Sequence, residues 1–197
     1  MVVFDGSGGA GSERHHELDN RKSAYIASRS CAYYFDYLIG NLNNQSPIKN
    51  VDDLSWQLYS YLVKINNQYP MDKFESTLVD ILPTTICGAF IKNKQNNISV
   101  DFIWAGDSRG YIIDENGLSQ VTEDDVDSKD AYYNIFDDSI MNNRIHGNSE
   151  KERFQIHTTN IDLKSKGIII CATDGCYDYF NSPMVFEFFF HINDSYF

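Results

Sequence analysis

The chain opens on a short apolar run, Val2 to Phe4, that stops at Asp5-Gly6. Such a run bounded by a turn signal predicts a buried strand ending in a loop. A glycine-rich stretch follows to Gly11, and Ser12 stands where a helix cap is expected. Ala24, Ala27, Cys31, Tyr34 and Leu38 recur at steps of three and four, which marks one face of that helix, with Gly40 as its stop. The segment from Asn41 to Asn50 is polar, contains Pro47 and predicts a loop. Asp52 is placed to cap a second helix that carries Leu54, Leu58, Tyr61, Leu62 and Ile65 along one face.

From Thr84 the period changes. Ile98, Val100, Phe102 and Trp104 alternate with Ser99, Asp101 and Ile103, the pattern of a half-buried strand. Tyr111 to Ile113 leads into Asn116-Gly117, a hairpin signal. Asp124 to Asn148 is polar and rich in Asn and Asp, which predicts a long surface loop or flap. Phe154, Ile156 and Thr158 predict a further strand. Gly167 to Ala172 is apolar throughout and ends before Asp174-Gly175, a second buried strand. Short helical turns are expected after Cys176 and Ser182. Helices first and strands later, with no repeat and no linker, predict one α+β domain over residues 1–197.

Charge narrows the function. Sixteen Lys and Arg against 28 Asp and Glu give a net charge of −12. Such a chain repels a phosphate backbone, which argues against nucleic acid as a partner. It suits a protein that gathers carboxylates around divalent cations, and equally one that is merely soluble. Thirteen Tyr and 13 Phe argue against disorder. The four cysteines form no C-x-x-C pair, so a reduced, cytoplasmic setting is expected. No apolar stretch is long enough to cross a membrane, and the start has no signal-peptide pattern.

Three apolar runs end at an aspartate: VVFDG at Asp5, FIWAGDSR at Asp107 and IIICATDG at Asp174. One Asp-Gly is ordinarily just a turn. Three carboxylates delivered from hydrophobic strands are costly unless paired or bound to metal, and hard oxygen ligands suit Mg2+ or Mn2+. No EF-hand loop spacing occurs, which weighs against a calcium module.

The blocks VFDGSGG, STLV…PTT, WAGDSRGYIIDENGLSQVTEDD and IIICATDGCYDYF, in that order from Val2 to Phe180, resemble the protein phosphatase 2C (PPM) family. The resemblance implies a sandwich of two antiparallel sheets flanked by helices, with a metal centre in a cleft at one end. By motif match Asp5 would bridge two ions, Mg2+ or Mn2+. The Gly6 carbonyl would bind one of them and Asp174 the other. Asp107 and Asp178 would serve a third, weaker position. The implied activity is hydrolysis of phosphoserine and phosphothreonine in a phosphorylated protein, by water activated between the two ions. The second reading is a phosphatase-like module that binds phosphoproteins with little turnover. His15 and His16, just past the Gly-rich loop, are weak candidates for protonating the leaving oxygen, the alternative being a solvated helix start. Ser7 stands where some members carry a His. Arg109 is expected to pair with nearby carboxylates. Relative to the family pattern, an acidic strand before Val2 and an Asp-Asn strand near Phe197 are missing. A shortened domain with poor turnover is the expectation.

Overall fold

The computed structural model describes residues 1–41, 50–71, 79–94, 97–126, 141–163 and 166–194. Most of the polar loop expected between Asn41 and Asn50, the STL of the second block and the middle of the expected flap lie outside these residues. A four-stranded antiparallel sheet takes the order β1 (Val2–Gly6), β4 (Thr84–Lys94), β5 (Asn97–Ala105), β8 (His157–Leu163). A three-stranded sheet takes the order β7 (Gly117–Gln120), β6 (Arg109–Asp114), β9 (Ile168–Ala172). Helices α1 (Ser23–Gly40) and α2 (Val51–Gln68) cover the first sheet, and α4 (Pro183–Asp194) covers the second. The α+β fold, a sandwich of two antiparallel sheets between helices, is the one the resemblance implies.

Three apolar clusters cement these layers. Ala27, Cys31, Leu58 and Leu62 of the helices meet Ile86, Ile103 and Ala105 of the first sheet. Val100 and Phe102 point the other way, onto Ile112. Tyr111, Ile113 and Ile170 close the outer face of the second sheet on Phe186 of α4. No helix among the described residues is long and apolar enough to cross a membrane.

The first helix starts 10 residues later than a cap at Ser12 suggests, at Ser23 with Lys22 in the cap position. Its place is taken by a small ribbon, β2 (Arg14–His15) and β3 (Arg21–Lys22), turned at Asp19 and Asn20, both at positive φ. Asp and Asn tolerate that conformation better than other residues with side chains. The Arg14 guanidinium fastens the turn to the Asn20 carbonyl at 2.7 Å. The second helix is capped by Asn50, whose side chain accepts from the Asp53 N–H at 3.1 Å, while Asp52 sits in the first turn facing the helix dipole.

Strand β5 is buried on both faces, where its alternation predicts one. Ile103 lies under the helices, and Ser99 and Asp101 are buried too because Asp101 pairs with Lys92 and accepts from Asn160. Internal pairing removes the penalty for burying the charge. Phe154 and Ile156 are buried, yet the strand they suggest begins only at His157. Ile145, inside the expected surface flap, is fully buried and exchanges two backbone hydrogen bonds with Thr84, both 2.9 Å. Strand β1 is half-buried, short of the burial its apolar run suggests, and among the described residues it pairs only with β4.

Candidate metal centre

Three chain segments converge where the two sheets meet. Asp5 ends β1, Asp107 lies in the turn between β5 and β6, and Asp174 opens the single-turn helix α3 (Asp174–Tyr177) after β9. The first two are locked from the same strand. Thr84 donates its hydroxyl to the Asp5 carbonyl at 2.5 Å, and the next residue, Thr85, shares a 2.6 Å hydrogen bond with Ser108. The turn at Asp107 needs Gly106, whose φ is +97° and whose N–H is held by Asp125 at 2.9 Å. Tyr177 of α3 donates to the Asp107 carbonyl at 3.1 Å, tying the third segment to the second. Gly6 is required by space: a Cβ there would stand 2.5 Å from the Ala24 carbonyl oxygen of α1.

The carboxyls of Asp5 and Asp174 lie close enough for each to act on the other. Burial, then contact with Asp174 and repulsion from its charge, push Asp5 up to about 6, and the Gly6 N–H opposes this. Burial and repulsion from Asp174 likewise push Asp107 up to about 6. Mutual repulsion of this kind is relieved by a proton or by a cation.

Arg109 offsets part of the repulsion on Asp107, but its ion pair is with another residue. It forks onto Asp124, with Nε at 3.0 and 3.1 Å and an outer nitrogen at 2.6 Å, and lies 4.0 Å from the centre of the Tyr177 ring. Burial works against its charge, but the bidentate bond to Asp124 outweighs burial and keeps it protonated. It pairs with a carboxylate as its position suggests, and its stack fixes the tyrosine that holds the Asp107 turn.

The structure sets Asp5 against Asp174, with Asp107 near enough to act on them through its charge. Asp178 is exposed at the end of α3, where its charge acts on Tyr111 and Tyr177. His15 is neither a solvated helix start nor open to a substrate. It is 1 % exposed, in the ribbon, with Nδ1 2.9 Å from the Tyr69 carbonyl and Nε2 3.4 Å from the Ser23 hydroxyl. His16 is on the exposed turn after it, outside any helix. Sequence reasoning missed Asp80 and Arg144. Arg144 donates to Asp80 and to the Ser7 hydroxyl, each at 3.3 Å, and so braces the loop beyond Asp5. No local signal links them, since 64 residues separate the pair.

The donors present are all oxygen, the set that a hard divalent cation prefers. Among the described residues no group of three or more His, Cys, Asp or Glu stands close enough to form a complete ligand set. A Mg2+-like ion, which keeps several waters, is compatible with so few protein donors.

No protein-family model matches the sequence, and no curated protein matches it. Solved structures do match. A variant of a bacterial serine phosphatase superposes with a TM-score of 0.58 at 21% identity, over 92% of this chain and 66% of its own. Serine/threonine phosphatase Stp1 from Staphylococcus aureus gives 0.59 at 18%, over 93% and 67%. The catalytic domain of serine/threonine protein phosphatase PstP, crystallised with two manganese ions, gives 0.58 at 13%, over 93% and 69%. At these identities the likeness is one of fold, and the chain spans about two thirds of the length of those structures.

Proposed function

We propose that the chain is a divalent-metal-dependent phosphatase acting on phosphoserine and phosphothreonine in proteins. The observation that carries this reading is the Asp5–Asp174 contact. Two aspartates 169 residues apart, one ending β1 and one opening α3, lie against each other, and burial with the charge of Asp174 pushes Asp5 up to about 6. The shared fold with serine/threonine phosphatases, one of them holding two manganese ions, supports it.

Asp5 and Asp174 would hold Mg2+ or Mn2+, with the Gly6 carbonyl beside them and Asp107 and Asp178 at an outer, weaker position. Bound there, a divalent cation supplies a Lewis acid for phosphoryl oxygens and acidifies its water. The chain's own part is placement. Thr84 and Thr85 fix the two acidic turns from one rigid strand, and Tyr177 ties α3 to the Asp107 turn. Rigid placement of this kind keeps donors aimed without reorganisation during the reaction.

The second reading is a phosphoprotein-binding module with little turnover. It is favoured by the absence, among the described residues, of a third ligating side chain close enough to complete a set. Hydrolysis of a phosphoserine peptide in Mn2+, in Mg2+ and in excess chelator separates the two. The enzyme reading expects turnover that needs the metal and vanishes in chelator and in Asp174→Asn. Peptide binding without turnover in any metal supports the module. Undiminished turnover in chelator sinks the metal mechanism.

A further inference from the structure

The layer between the two sheets holds two thiols that the acidic site does not use. On β4, Ile86, Gly88 and Phe90 face the helices: Ile86 and Phe90 pack in the cluster under α1 and α2, and a Cβ on Gly88 would meet Ile103 of that cluster at 3.2 Å. Cys87 and Ala89 therefore face the second sheet, and Ala89 joins the inner cluster. On β9 the alternation is the same. Ile168, Ile170 and Ala172 pack toward α4, while Ile169 and Cys171 pack on the inner cluster. Gly110 of β6 stands opposite Cys171 in register, and a Cβ there would meet the Phe102 ring at 2.6 Å. Small residues on both inner faces let β4 and β9 approach within 8 Å, Cα to Cα. Stacked sheets ordinarily keep about 10 Å.

Cys87 and Cys171 meet in this layer. Cys87 is fully buried and Cys171 half-buried. Each sulfur lies close enough to act on the other: Cys171, then burial, pushes the Cys87 thiol up, and Cys87 holds the Cys171 thiol down against burial. The approach of the two strands is near the roughly 7 Å that a disulfide tolerates between Cα atoms. The thiol favoured as thiolate is also the one nearer solvent, and the thiolate is the nucleophile. The other cysteines are placed differently, Cys31 buried under the helices and Cys176 exposed on α3.

We propose that Cys87 and Cys171 are a peroxide-sensitive pair that closes to a disulfide between the two sheets. The Cys171 thiolate attacks one oxygen of hydrogen peroxide. An S–O bond forms, the O–O bond breaks, and the departing hydroxide takes up the proton that Cys171 gave to solvent. The Cys87 sulfur then attacks the Cys171 sulfur. The S–S bond forms, the S–O bond breaks, and the second hydroxide leaves as water with the Cys87 proton. Two thiols are oxidised and one peroxide is reduced to two waters, and a dithiol reductant reverses the bond. The bond ties the strands that carry the acidic turns, since β9 runs into Asp174 and β4 pairs with β1 at Thr85 and Asp5. Oxidation therefore fixes the two sheets to each other beside that pair. This holds whether or not the chain hydrolyses phosphopeptides.

The test is the intact mass and peptide map of the full chain after hydrogen peroxide, with free thiols then labelled by N-ethylmaleimide in denaturant. Cys176→Ser is the working background, because it removes the exposed thiol and leaves three. The expected product has lost two hydrogens, carries one label, on Cys31, and yields a linked peptide joining Cys87 to Cys171. Dithiothreitol should return all three labels. With Cys87→Ala added, the link should vanish and dimedone should trap Cys171 as its sulfenic acid. With Cys171→Ala added, Cys87 should stay reduced. The linked chain should melt about 5 °C or more above the reduced one, as a bond closing a long loop without distorting the fold does. Three labels after peroxide, or Cys171 driven to sulfinic acid with Cys87 still free, overturns the proposal. So does a wild-type chain that joins Cys171 to Cys176 instead, or a linked chain that melts below the reduced one. The readouts are mass and melting, so failure of the phosphatase reading would leave this result standing, and the reverse.

Discussion

Asp80 and Asp5 are two aspartates with opposite surroundings. Asp80 is 2 % exposed and meets Arg144 at 3.3 Å and Lys151 at 3.2 Å, with the Ile81 N–H on its other oxygen. Asp5 meets Asp174, with Asp107 adding to the repulsion. Asp101 and Asp124 follow the first pattern, with Lys92 and Arg109 as partners. Among the described residues, Asp5, Asp107 and Asp174 have no basic group at ion-pair distance. Where the chain supplies the counter-charge, the aspartate holds the fold. Where it does not, burial and repulsion hold the carboxyl well above the usual carboxylate range, as at Asp5 and Asp107.

The sharpest break of this comparison is in stability. Asp80→Ala leaves two cations beside a buried gap and should cost about 3 kcal/mol, read by chemical denaturation. Added Mn2+ should not restore it. Asp174→Asn should act with the other sign in metal-free protein, leaving the fold as stable or stabilising it by about 1 kcal/mol, because it removes repulsion. The same variant should lower metal-dependent hydrolysis at least about a hundredfold, the loss of a few kcal/mol of charge stabilisation. If Asp174→Asn and Asp80→Ala destabilise the metal-free chain alike, the two regions are not different in kind.

The pH dependence sharpens the comparison further. Asp5 stands at about 6 in the fold against 3.8 ordinarily. Its contribution to stability is therefore present in full below 3.8 and lost as pH rises through about 6. Metal-free wild type should lose about 1 kcal/mol relative to Asp5→Asn between about pH 4 and pH 7, after allowing for solvent screening at a half-buried group. Thermal melts of both proteins across that range, in chelator, give the difference directly. A difference that stays flat would remove the repulsion from the account.

Smallest is Arg109→Lys. A lysine cannot fork onto Asp124 and stack on Tyr177 together, so about 1 kcal/mol of stability should go. Turnover should fall more than peptide affinity, because Tyr177 holds the Asp107 turn. An affinity loss larger than the turnover loss would place Arg109 in binding instead.

Local patterns made much of this legible. The apolar runs ending at Asp5, Asp107 and Asp174 are visible by eye, and Asp5 lies against Asp174 with Asp107 acting on both through charge. The helical faces of α1 and α2 follow their periodicity, since Ala24, Ala27, Cys31, Leu54, Leu58 and Leu62 are all buried. What failed to show depends on distant partners. Ser12 has the chemistry of a cap, but the ribbon at Arg14 and Arg21 postpones the helix to Ser23. Strand β5 looks one-sided because Asp101 is charged, and only Lys92 and Asn160 make its burial tolerable. His15 beside a glycine-rich loop suggests catalysis until Tyr69 and Ser23 are found on its two nitrogens. Ile145 sits in a stretch too polar to announce a core residue, yet it pairs with Thr84 beneath the site. Periodicity reports which face is apolar and says nothing of which remote side chain meets it.

Calorimetric titration with Mn2+ near neutral pH tests the central claim most directly, on wild type, Asp174→Asn and the exposed-surface variant Glu115→Gln. Wild type and Glu115→Gln are predicted to bind saturably and alike. In a buffer near pH 6 wild type should also release protons, since the cation displaces the proton that Asp5, raised to about 6, still holds there. Asp174→Asn is predicted to bind at least about tenfold more weakly and to release fewer protons. Equal binding by wild type and Asp174→Asn, or no binding by wild type, would contradict the account.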